Sequence, residues 1–125
     1  MTARILVVDD TPANVKLLVD LLGAKGYAVL EAVNGLDGVR LALAHQPDLV
    51  LMDIQLPDIN GIEAFGRIRA NPATASVPVV AFTASVTPGD RQSIGDAGFD
   101  GFLGKPIQLK EFVDTVRRLA GEPNS

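Results

Sequence analysis

The sequence predicts an α/β fold in which one parallel five-stranded sheet is covered by helices on both faces. Three observations predict it. Short β-branched runs alternate with helical segments along the whole chain, as crossover connections between parallel strands require. The runs are continuously apolar, the mark of strands buried on both faces. The last helical segment places Leu109, Phe112, Val113, Val116 and Leu119 on one stripe, so it packs one face only.

Each element can be justified in order. The first strand is Ile5-Leu-Val-Val8, and a helix over 12–23 follows with Pro12 in its first turn, where its missing N–H costs little. That helix spreads Val15, Leu17, Leu18, Val19, Leu21 and Leu22 over roughly 200°, wider than one buried face needs. Either the excess is a partner surface or the helix is well covered. Tyr27–Leu30 is the second strand, and the helix over 35–45 ends at His45, just before Gln46-Pro47. Asp48–Met52 is the third strand and runs into Asp53; a helix over 61–70 follows the turn residues Pro57, Asn60 and Gly61. The fourth strand, Val77–Phe82, tolerates Pro78 near its start. The next helix, over 88–97, is rich in Pro, Gly and Ser and has Ile94 and Ala97 as its main anchors, which predicts a mobile element. A weaker strand from Gly98 to Leu103 and a helix over 108–120 complete one domain over 1–120, with a loose tail at 121–125.

Composition narrows the chemistry. The 125 residues are 47% apolar and 21% charged, an ordinary globular balance. Eleven Lys and Arg against fifteen Asp and Glu give a net charge of -4, which argues against nucleic acid as a partner. Zero Cys excludes disulfides, thiolate zinc sites and a cysteine nucleophile, and one His excludes a multi-histidine metal site. No apolar run approaches the ~18 residues of a membrane helix, so the expected location is the cytoplasm, with no membrane partner.

Function is written at the strand ends. Right-handed crossovers place every strand's C-terminal end along one edge of the sheet. The first strand ends in Asp9-Asp10, the third in Asp53, the fourth in Thr83 and the fifth, after Gly104, in Lys105. In a flavodoxin-like (βα)5 sheet of order 2-1-3-4-5, the direction of winding reverses between strands one and three, where ligands bind. Three carboxylates so placed repel one another and call for a cation. Hard oxygen donors without His or Cys favour Mg²⁺, with Mn²⁺ as an alternative. With Lys105 and the Thr83 hydroxyl they suit a phosphoryl group, and a carboxylate can serve as nucleophile. The usual glycine-rich phosphate loops are absent, and an aspartyl phosphatase would want a second Asp where Gln55 stands.

Asp9-Asp10, Asp53 with Leu56-Pro57 and Gly61, Thr83-Ala84 and Lys105-Pro106 together resemble the receiver domain of bacterial two-component response regulators. The resemblance covers essentially the whole chain, and its text is similar to stand-alone DivK-like and chemotaxis-regulator-like receivers. It implies that Asp53 accepts a phosphoryl group from a histidine kinase or a histidine phosphotransfer protein. Asp10, Asp53 and the main-chain carbonyl of Gln55 would hold Mg²⁺, with Asp9 acting through water. Lys105 would pair with the phosphoryl group across a cis Lys105–Pro106 peptide. Thr83 and Phe102 would form the switch, although Phe102 offers no hydroxyl. Gln55 and Ser85, both uncharged, stand at the family's rate-tuning positions. The responsive surface would comprise the fourth helix, the fifth strand and the last helix, in a monomer or a weak phosphorylation-dependent dimer. Two other classes compete: a receiver fold used as a constitutive binding module, and a hydrolase of phosphorylated small molecules.

Overall fold

Ten elements alternate strictly along the chain of the computed structural model, which describes residues 3–84, 87–105 and 107–122. They are β1 (Arg4–Val8), α1 (Pro12–Ala24), β2 (Ala28–Ala32), α2 (Gly35–His45), β3 (Leu49–Asp53), α3 (Gly61–Ala70), β4 (Val79–Thr83), α4 (Pro88–Ala97), β5 (Gly101–Gly104) and α5 (Leu109–Ala120). The strands form one parallel sheet of order β2-β1-β3-β4-β5. This is the predicted topology, and its winding reverses between β1 and β3.

The pleat sorts the strand residues into two cores, because successive side chains point to opposite faces. Ile5, Val7, Leu49, Leu51, Val80, Phe82 and Leu103 face α1 and α5, where Leu18, Leu22, Phe112 and Val116 meet them. Leu6, Val8, Val50, Met52 and Val79 face the other way, onto Ala42 of α2 and Ala64, Phe65 and Ile68 of α3. Every residue of β3 and β4 is buried, which accounts for their unbroken apolar runs. Close approach of α2 to the sheet needs Gly38, where a Cβ would stand 2.8 Å from a Val8 methyl.

Several boundaries and faces differ from the sequence expectation. Tyr27 precedes β2 instead of opening it, and its hydroxyl donates to the Gly121 carbonyl at 2.7 Å. Pro78 lies just before β4, and its carbonyl accepts from Val50 N at 2.9 Å. β5 begins at Gly101, since Gly98 turns with φ +96° and Asp100 is engaged by Arg69 and by Val79 N. Leu109 is 57% exposed and stands outside the buried stripe of α5. On α1, Val15, Leu18 and Leu22 are buried while Leu17 is 48% exposed, so that helix is not covered all round. Within α4, Ile94 is buried and Ala97 half-buried, as expected of a thinly anchored helix.

Candidate functional site

β1, β3 and β5 deliver their charged ends to one edge of the sheet. Because β1 and β3 are neighbours, with Val8 opposite Met52, the residues that follow them lie side by side. Asp9 is fully buried and Asp53 nearly so, whereas Asp10 is exposed. Carboxylate oxygens of Asp9, Asp10 and Asp53 all lie within 4.8 Å of one another, the one such acidic cluster among the described residues.

Lys105 crosses two strands to reach this cluster. Its ammonium donates to Asp9 Oδ2 at 3.1 Å and to Asp53 Oδ2 at 3.0 Å, passing 4.8 Å from the centre of the Phe82 ring. The backbone aims it, since Lys105 N donates to the Thr83 carbonyl at 3.0 Å and continues the β4–β5 ladder. Thr83 itself is fully buried at the end of β4. Each carboxylate is also held from its own loop: Thr11 N donates to Asp9 Oδ1 at 2.9 Å and Gln55 N to Asp53 Oδ1 at 3.0 Å.

These contacts set the protonation balance. Burial pushes the Asp53 carboxyl above the ordinary range; the bonds from Lys105 and Gln55 N and the Lys105 charge oppose that rise, and the Asp9 charge adds to it. Burial lowers Lys105, yet its bonds to Asp53 and Asp9 and their charges outweigh this and hold the ammonium above the usual lysine value. The result is an ion triad of two buried acids under one ammonium, with a third carboxylate at the solvent side. Such a donor set, all hard oxygens, fits a magnesium ion that keeps several waters.

The loop from 54 to 60 is fixed at both ends. Gly61 N donates to the Ile54 carbonyl at 2.9 Å, and a Cβ on Gly61 would stand 2.3 Å from the Asp53 carbonyl oxygen. Gly61 is therefore required by close approach, not only by turn preference. Asn60 caps α3 by accepting from Glu63 N at 2.8 Å. Asp58, in the same turn, reaches across to α2 and accepts from Gly35 N and Leu36 N at 2.7 and 2.8 Å. Burial would raise its pKa, but its backbone hydrogen bonds win and hold it below the ordinary carboxylate range.

Phe102 is half-buried on β5, with the Arg91 guanidinium 5.0 Å from its ring centre. That partner is not legible in the sequence, because Arg91 is eleven positions away on the thinly anchored α4. Gln55 is exposed beside Asp53. Ser85 and Pro106, and with Pro106 the expected cis peptide, lie outside the described residues.

Residues 5–117 match the response regulator receiver domain family. The chain is 36% identical over 122 residues to the polar-differentiation response regulator DivK of Brucella ovis, covering 98% of this chain and 99% of that protein. Among solved structures it superposes with a TM-score of 0.90 on the receiver domain of the sensor histidine kinase PA1611 from Pseudomonas aeruginosa. That pair shares 34% identity over 97% of this chain and 99% of the other, and the Pseudomonas domain is described with a magnesium ion coordinated in its active-site cleft. The chemotaxis protein CheY4 of Vibrio cholerae shares the fold, with a TM-score of 0.88 and 24% identity over 95% of this chain and 99% of that one.

Proposed function

The chain belongs to the response regulator receiver domain family, and on that premise we propose that residues 1–120 form a phospho-acceptor switch, with 121–125 as a tail. The observation that carries this reading is the Lys105 ammonium bridging buried Asp9 and Asp53 beside Asp10. Receivers of this family act in two-component signalling and interact with histidine kinases. Here the donor is a histidine kinase or a histidine phosphotransfer protein in the cytoplasm.

Asp53 is the nucleophile. One of its carboxylate oxygens forms a new P–O bond while the donor's P–N bond breaks, and the departing imidazole nitrogen keeps the electron pair. Asp10, Asp53 and the Gln55 carbonyl would hold Mg²⁺, or Mn²⁺ in its place, and Asp9 would support it through water. When bound, the metal neutralises the crowded oxygens and templates the phosphoryl group. Lys105 exchanges its carboxylate contacts for the phosphoryl oxygens, and the Thr83 hydroxyl donates to them. Movement of Thr83 and Phe102 then alters the surface of α4, β5 and α5 that partners read, with Gln55 and Ser85 as the rate-tuning positions.

Incubation with Mg²⁺ and acetyl phosphate, followed by intact mass measurement, tests the proposal. Wild type is expected to gain one phosphoryl group, and Asp53→Asn none. A wild type that gains nothing, or a variant that gains as much, overturns it.

A further inference from the structure

The N-terminus of α2 is closed by a residue from another loop. Four backbone N–H groups at a helix start have no partner within the helix. In α2, which Asn34 caps, they include Gly35, Leu36 and Asp37, and all three are engaged. Asn34 takes one of them: its side chain accepts from Asp37 N at 2.8 Å, while its carbonyl accepts the first ordinary helix bond, from Gly38 N at 3.0 Å. Asp58 takes the other two, one with each carboxylate oxygen, from a position 22 or 23 residues further along. The neighbouring Ile59 seats on Gly35, where a Cβ would stand 2.5 Å from Ile59 Cγ1. The middle of the β3–α3 loop is thus pinned to a helix that is itself packed on β1 through Gly38 and Val8.

The same loop carries Gln55. Its amide already bonds Asp53 Oδ1, and Ile54 O is held by Gly61 N. Those two bonds close the base of the loop and hold the Gln55 amide, leaving residues 56–58 to be held by the Asp58 contact. We propose that Asp58 is a positioning residue for the metal site, anchoring the β3–α3 loop to the start of α2 so that the Gln55 main chain stays beside Asp53. This inference rests on the reading of the acidic cluster as a magnesium site. Asp58 touches neither metal nor phosphoryl group; it acts through the loop.

Asn34 provides the control. It caps the same helix end and makes no bond to the loop, so Asn34→Ala weakens α2 while leaving the loop pinned. Mg²⁺ binding to wild type, Asp58→Ala, Asp58→Asn and Asn34→Ala is followed by thermal shift, and exchange of the amides of 54–60 is measured without metal. Asp58→Ala is expected to need roughly tenfold more Mg²⁺ for half-saturation, the lower end of the effect of losing a group that orients a metal ligand. Its loop amides exchange faster, Asp58→Asn falls between, and Asn34→Ala keeps the wild-type Mg²⁺ response. An Asp58→Ala protein with wild-type Mg²⁺ half-saturation overturns the inference, as does an equal shift in Asn34→Ala. A wild type that ignores millimolar Mg²⁺ overturns instead the metal-site reading beneath it.

Discussion

Lys105 is the residue on which the edge of the sheet balances. Two carboxylates, one fully buried and one nearly so, share its single ammonium. Removing one member of a buried ion set costs about 3–5 kcal/mol, because the groups left behind keep their desolvation penalty. Lys105→Met is therefore expected to lower metal-free stability by about 3 kcal/mol, the low end of that range, since the lysine side chain retains some solvent contact. Mg²⁺ supplies the missing positive charge, so it should raise the melting temperature of Lys105→Met by more than that of wild type. Equal Mg²⁺ shifts in urea or thermal melts would show that lysine and metal do not compete for the same oxygens. The convergence of Asp9, Asp10, Asp53 and Lys105 was legible in the sequence because each stands at the end of a strand, and strand order alone decides which ends are neighbours. Asp58 was not legible. A turn-forming Asp looks the same whether it faces water or closes a helix twenty residues away.

Among the elements, α4 is held differently from the rest. Ile94 is its one fully covered apolar side chain among the described residues. Beyond its C-terminal end the chain is secured more firmly. Phe99 stacks on Phe65 with ring centres 4.2 Å apart, and Arg69 covers Phe65 while gripping Asp100. The helix is tethered at one end and thinly packed along its length. Ile94→Ala should cost about 2–3 kcal/mol, with the loss read in faster amide exchange within α4 and little change in α5. Uniformly faster exchange across all elements would mean that α4 opens only with the whole domain. The composition of this segment foretold the thin packing through its Pro, Gly and Ser. What it did not disclose is the tether, which joins α3 to the loop before β5 through residues thirty or more positions apart. β5 starts later than its sequence suggests for the same reason: Asp100 belongs to that tether and not to the strand.

At the scale of the whole molecule, one sheet serves two cores. β1 sends Ile5 and Val7 to one and Leu6 and Val8 to the other, so neither core survives loss of the strand. Such sharing predicts a single cooperative unfolding transition. The composition provides a simple check, since Tyr27 is the lone tyrosine and the chain has no tryptophan. Tyrosine emission reports the α1–α5 layer, where Tyr27 bonds Gly121, while far-ultraviolet circular dichroism reports all helices. The two urea curves should coincide; a separate tyrosine transition would mean that the α1–α5 layer melts on its own. No helix among the described residues is long and apolar enough to cross a membrane.

The bond from Lys105 to Asp9 joins residues 96 positions apart. A ribosome makes a chain from one end, so Asp9 emerges well before its counter-charge. Until β5 is added, a nascent chain that has already paired β1 with β3 carries two acids facing each other with no ammonium between them. The arrival of Lys105 settles that repulsion and completes the site in one step. An unfinished copy can thus resemble the mature fold across three strands and still lack the charge balance of the finished sheet edge.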